Sequence, residues 1–134
     1  MWTHEHSVDT TATPAAVFAL WADVPGWRAW NGDVTASVLD GPFATGSTIA
    51  MTTLDGDRIP LTLADVQADR SFTDEARFPG LLVRTHHLLT PTPTGTTVTY
   101  RMEITGQAGP DLGPTISGDF PETMAALVAL AERR

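Results

Sequence analysis

The feature that most limits how this chain can fold is a succession of six short strand-forming runs with only brief breaks between them. They span Val34 to Leu39, Thr48 to Leu54, Ile59 to Val66, Ser71 to Phe78, Leu81 to Thr90 and Thr97 to Thr105. The breaks carry turn chemistry: Asp40-Gly41-Pro42, Asp55-Gly56-Asp57, Gln67-Ala68-Asp69, Pro79-Gly80 and Pro91-Thr92-Pro93-Thr94-Gly95. Parallel strands need a crossover of a dozen or more residues, so breaks this short predict an antiparallel meander. Pro60 cannot donate to a ladder and predicts an edge or a bulge where it stands.

Helical signals flank the meander. Before it, a short strand around Val8 leads to Thr13-Pro14, a hydroxyl cap followed by the residue tolerated at the first helical position. Val17, Phe18, Leu20 and Trp21 give that helix an apolar side, and Pro25-Gly26 ends it before a second short helix to about Trp30. After the meander, Leu112, Ile116, Phe120, Met124, Leu127, Val128 and Ala131 recur at three-to-four spacing as one helical stripe. Gly118 and Pro121 predict a bend in it near Asp119. A long amphipathic helix needs an apolar surface, and the concave face of a curled sheet is the one available. The predicted class is therefore α+β, a sheet curled around a helix with room between them for an apolar small molecule.

Composition narrows function by exclusion. At 134 residues, with 42% hydrophobic and 18% charged residues, the chain suits one folded domain over 1–134. Its net charge is −8, from 16 acids against 8 arginines, which repels nucleic-acid phosphates and anionic lipid surfaces. There is no lysine, which removes Schiff-base chemistry and the lysine-bearing phosphate loop. There is no cysteine, which removes disulfides, thiolate nucleophiles and Cys-zinc sites. Met1-Trp2-Thr3-His4-Glu5-His6 lacks the basic start and apolar core of a signal peptide, and the longest apolar run, Met124 to Ala131, is too short to span a bilayer. A cytoplasmic location without membrane insertion is expected.

The chain resembles the START-like superfamily, in particular its small bacterial polyketide cyclase/dehydrase-like members. The likeness is carried by Ala12-Thr13-Pro14-Ala15-Ala16-Val17-Phe18, the Trp27/Trp30 break, Thr73-Asp74-Glu75-Ala76 through Pro79-Gly80, His87 with Leu89 and Pro91, and Gly95-Thr96-Thr97-Val98. None of these is a catalytic signature. The resemblance implies a helix-grip fold, in which about seven antiparallel strands wrap a C-terminal helix around an apolar pocket.

Strand alternation assigns the inner wall. Val98, Tyr100, Met102 and Ile104 share one apolar face, and pairing places Leu81, Val83, Thr85, His87 and Leu89 on it. The Pro79-Gly80 turn adds Phe72, Asp74, Ala76 and Phe78, and Val8 brings His6, His4 and Trp2. Phe72, Phe78, Val83, Thr85, Met102, Phe120, Met124 and Trp30 are the expected ligand contacts. Asp74 and His87 should lie diagonally across neighbouring strands, where the carboxylate would hold the imidazole in one tautomer and raise its basicity. Tyr100 is either a core aromatic with a backbone partner or a donor to a ligand carbonyl. Trp27 and Trp30 either staple the short helices to the sheet or gate the cavity.

His86, Arg84 and Arg101 fall on the outer face as solvated side chains. His4-Glu5-His6 has a spacing some metal sites use, but no third ligand stands at a recognisable distance, so no metal is expected. Asp55-Gly56-Asp57 lacks the other acids of a calcium loop. No nucleophile elbow or dinucleotide glycine pattern occurs, so no cofactor is expected.

Three functions fit these residues. The first is binding of an aromatic, polyketide-like or lipid-like molecule by a monomer or homodimer. In the second, a cofactor-independent cyclase, aromatase or dehydratase, His87 (backed by Asp74) removes an α-proton and Tyr100 polarises a carbonyl. The third is a docking module of the chaperone-activator type, which would use the outer surface.

Overall fold

The computed structural model describes residues 1–133. The chain opens with β1 (Trp2–Thr10), α1 (Pro14–Ala22) and a 3-10 helix (Val24–Ala29). The meander follows as β2 (Val34–Asp40), β3 (Thr48–Thr53), β4 (Arg58–Gln67), β5 (Ser71–Phe78), β6 (Leu81–Thr92) and β7 (Gly95–Thr105). Two helices, α2 (Gly109–Ser117) and α3 (Phe120–Glu132), close the chain. All pairings are antiparallel, in the spatial order β1-β7-β6-β5-β4-β3-β2. This is the helix-grip architecture.

Alternation is cleanest in β7, where Thr96, Val98, Tyr100, Met102 and Ile104 are buried and the residues between them are not. The same inner face takes Val83, Thr85, His87 and Leu89 from β6. Gly80 closes the β5–β6 hairpin at φ 71°, a left-handed conformation that glycine adopts without strain. Pro60 sits opposite Ala50 of β3, while pairing of β4 with β5 begins only at Thr62. Its missing donor therefore falls where β4 is locally an edge. The register irregularity comes further on, between Leu63 and Asp65.

Helix α1 starts as its sequence demands: the Thr13 hydroxyl accepts from the Ala16 amide at 3.2 Å and Pro14 takes the first turn. It stops at Asp23, earlier than expected, because Pro25 and Gly26 are taken into the 3-10 helix instead of forming the break. The closing helix is interrupted at Gly118-Asp119, as expected. Helix α3 buries Phe120, Thr123, Met124, Leu127, Val128 and Ala131.

Helix α2 departs from the predicted stripe. It buries Gly109, Gly113 and Ser117, whereas Leu112 and Ile116 remain 44% and 37% exposed. The reason is the proximity of Trp2: a Cβ on Gly113 would run into the indole, so only the small-residue side can approach β1. Two buried hydroxyls fix the segment around the end of β1 to later parts of the chain. Thr10 donates to the Glu132 carboxylate at 2.6 Å, and Thr96 to the Ala12 carbonyl at 2.7 Å.

Candidate functional site

Between the sheet and the helices lies a cavity of about 250 Å³. The sheet forms its floor because inward side chains of β3 to β7 converge there. Phe72, Asp74, Ala76 and Phe78 come from β5, and Val83, Thr85 and His87 from β6. Tyr100 and Met102 come from β7, and Met51, Ile59 and Leu61 from β3 and β4. Trp27, Trp30 and Asn31 close one side, and Ile116, Asp119, Phe120 and Thr123 close another. Phe78 and Ile116 keep 41% and 37% of their surface, which puts them at the rim.

Ten of the eleven residues singled out in the sequence therefore line one space. Met124 does not. It is fully buried and packs into the core beneath the cavity wall. Asp119 and Thr123 were not anticipated. The bend that brings them inward was readable from Gly118 and Pro121, but nothing in their spacing indicated which side chains it would turn toward the cavity.

The chemistry around His87 differs from expectation. Asp74 lies opposite Thr85, two positions along the ladder from the Phe72–His87 pair, so the diagonal placement is as predicted. Yet Asp74 does not hold the ring. His87 Nδ1 donates to the Phe72 carbonyl at 3.1 Å. A carbonyl can only accept, so Nδ1 carries the ring hydrogen and Nε2 is left as the acceptor. The ring is stacked flat on Phe72 at 3.8 Å and meets Tyr100 edge-on at 4.5 Å. Burial in this aromatic sandwich lowers its pKa to about 3, against the carbonyl hydrogen bonds that favour the charged form. His87 is a neutral imidazole, not a strengthened base.

Asp74 is displaced the other way. Asp74 is half-buried on the cavity wall, and it has no hydrogen-bond partner among the described residues. Burial, with the like charge of Glu75, raises its pKa to about 7. Tyr100 is 3% exposed, and its hydroxyl accepts from the Trp21 indole at 3.2 Å. Its partner is a side chain and not a backbone group, and its own proton is left to donate. Burial raises the Tyr100 pKa, so the phenol stays protonated. Asp119 is also raised, by burial and by the charge of Asp33.

The two indoles of the break play different parts. Trp27 donates to the Trp21 carbonyl at 2.9 Å, which fastens the 3-10 helix to α1. Trp30 is 6% exposed and its buried indole nitrogen has no partner among the described residues. Together with Asn31, Asp119 and Thr123 it separates the cavity from a shallower depression of about 310 Å³, bordered also by Arg28, Asp33 and Glu122.

On the outer face His86 is not merely solvated. It bridges Thr73 Oγ1 at 3.0 Å and Glu103 Oε1 at 2.6 Å, and this bond lowers the Glu103 pKa. Arg84 is paired with Glu75 through Nε at 2.7 Å, and Arg101 lies 3.8 Å from Glu5. His4 packs between Trp2 and Phe120, each ring centre 6.0 Å away.

A curved sheet gripping a helix over an internal cavity defines a START-like, helix-grip protein. Residues 1–132 match the family described as polyketide cyclase / dehydrase and lipid transport, and the chain belongs to that family. Among solved structures it is similar to protein MLL2253 from Mesorhizobium loti, at 17% identity, with a TM-score of 0.80 and 98% of each chain covered. It is also similar to the di-domain ARO/CYC StfQ from the steffimycin biosynthetic pathway, at 16% identity and a TM-score of 0.81, covering 98% of this chain and 51% of that one. A third similar structure is Ara h 8.0201, at 10% identity and a TM-score of 0.73, covering 99% of both chains. At such identities these likenesses establish the fold alone. No curated protein matches the chain. Among the described residues no helix is long and apolar enough to cross a membrane.

Proposed function

We propose that this protein binds a hydrophobic small molecule of aromatic or polyketide-like character in its internal cavity. The observation that carries this reading is the cavity itself: about 250 Å³, walled by Trp27, Trp30, Phe72, Val83, Met102 and Phe120, with few polar groups. An apolar cavity of roughly 150 Å³ suffices for benzene, so this one has room for a larger ring system. The family, whose description includes both cyclisation and lipid transport, supports the same reading. On it the protein acts in the cytoplasm, as a monomer or homodimer.

One observation favours a catalytic version. Asp74 is an unpartnered carboxyl with its pKa raised to about 7, poised to give or take a proton near neutrality. The same cavity is lined by a phenol with a free proton (Tyr100) and a neutral imidazole acceptor (His87). In a cyclase or dehydratase Asp74 would move the α-proton, Tyr100 would polarise the carbonyl and His87 would orient the substrate. This reverses the order of roles expected from the sequence, because burial has made the carboxyl the better-matched base. The outer-surface docking reading loses ground, since the cavity is open and His87 is 8% exposed.

The test is native mass spectrometry of the protein as expressed, together with titration of the neutral fluorophore N-phenylnaphthylamine. Binding reading: an added mass or saturable fluorescence, lost when Ala76 is enlarged to Leu. Neither signal in the unaltered protein would overturn it.

A further inference from the structure

Among the described residues the cavity wall carries two carboxyls and no cationic side chain. Asp74 opens into it, Asp119 lies at its wall, and Asp33 and Glu122 border the adjoining depression. No arginine among the described residues lines it, and the sequence contains no lysine. Its histidine, His87, is spent on the Phe72 carbonyl and kept neutral. Arg28 borders only the adjoining depression, so within the cavity itself a carboxylate, sulfonate or phosphate guest would face acidic groups and no cationic side chain among the described residues.

An amine meets the opposite conditions. Trp27, Trp30, Phe72, Tyr100 and Phe120 offer ring faces or edges around one volume. Aromatic walls attract a cation, and a carboxylate among them can serve as its counter-ion. The groups facing Asp74 leave that carboxyl free for the purpose. Leu63 opposes it on β4 and Thr85 on β6, and neither carries charge. Around it Tyr100 and His87 are neutral, while Glu75 on its own strand is engaged by Arg84 on the outer face. Asp119 is the other acid on the cavity wall.

We infer that the natural guest of this cavity is an apolar molecule bearing a basic amine, held by Asp74 as counter-ion within the aromatic walls. This inference deepens the ligand-binding reading and rests on it. Because the free carboxyl is raised to about 7, uptake of an ammonium group expels the Asp74 proton. Binding of such a guest therefore strengthens as pH rises through neutrality, until the amine itself loses its proton.

Isothermal titration with naphthylethylamine, naphthylethanol and naphthylacetate separates the possibilities. At about pH 8 the amine should bind at least about tenfold tighter than the alcohol, and the acid more weakly than either. In Asp74→Asn the amine-to-alcohol ratio should fall to about one. A second readout needs no variant. In buffers of different ionisation enthalpy near pH 7, amine binding should release about half a proton and alcohol binding none. Equal affinities for amine and alcohol at about pH 8, an amine preference that persists in Asp74→Asn, or no proton release would overturn the amine inference and leave the cavity reading standing. Failure of all three compounds to bind would overturn the cavity reading with it.

Discussion

Asp74 and His87 are neighbours inside one protein, and burial moves them in opposite directions. Asp74 binds its proton more tightly when folded, its pKa being raised to about 7. Its linkage contribution is full below the ordinary carboxylate value of about 3.9 and is lost as pH rises through about 7. His87 is lowered to about 3, so as pH falls below about 6.5 the unfolded chain takes up a proton that the folded chain refuses. Stability then declines on the acid side as far as about pH 3. Asp74→Asn keeps the shape of the side chain and removes its titration. A shift of this size has a ceiling of about 4 kcal/mol, and solvent in the cavity reduces it, so a gain of about 2 kcal/mol at pH 8 is expected. The gain should shrink to near zero by about pH 3, where the wild-type carboxyl is protonated in both states. Urea denaturation at the two pH values measures it, and an Asn variant less stable than wild type at pH 8 would contradict this account.

Among the elements, α2 shows most clearly how packing against β1 can override an apolar stripe. Gly113 faces Trp2 so closely that a methyl group there would collide with the indole. Gly113→Val should therefore cost about 1–3 kcal/mol by thermal or chemical denaturation. Part of that loss should return in a Trp2→Ala background, because the two residues share one contact. An additive double-mutant cycle would mean that α2 does not rest on β1 in this way. The same helix explains where the sequence stops being informative. Hydrophobic periodicity selected Leu112 and Ile116 as the inward side, but Ile116 reaches only the cavity rim and Leu112 stays exposed, because close approach to Trp2 selected the glycines, and periodicity carries no signal for close approach. In β7 nothing competes with alternation: Val98, Tyr100, Met102 and Ile104 were readable as one inner face, and are so. The hairpin order of β2 to β7 was readable from turn chemistry for the same reason. His87 was readable as inward-facing, but its partner was not, because the acceptor is a main-chain carbonyl on the neighbouring strand. Which carbonyl faces which ring depends on register at the level of single atoms, and side-chain identity does not encode that.

Taken as a whole, the molecule keeps a hole where its core would otherwise be. A dry void of about 250 Å³ would cost roughly 6 kcal/mol, a large part of the 5–15 kcal/mol that typically separates folded from unfolded chains. Solvent and the polar groups of Asp74, Thr85 and Tyr100 lessen that figure, but the direction stands: filling the space with protein should stabilise the fold. The remaining core is closed around Trp21, which touches Phe72, His87 and Tyr100 at ring distances of 5.1, 5.7 and 6.2 Å. The hollow is thus bounded by a packed aromatic cluster and is not a sign of general looseness. Ala76 is 6% exposed and lines the hollow from β5, so Ala76→Leu adds apolar volume there while Asp74 and His87 themselves are left unsubstituted. Its stability should rise by about 1 kcal/mol while affinity for N-phenylnaphthylamine falls at least about tenfold. Opposite signs are the diagnostic result, since they mean that the fold carries this cavity at the expense of stability and that the guest occupies the same volume. A leucine that leaves guest affinity untouched would place the binding site elsewhere on the molecule.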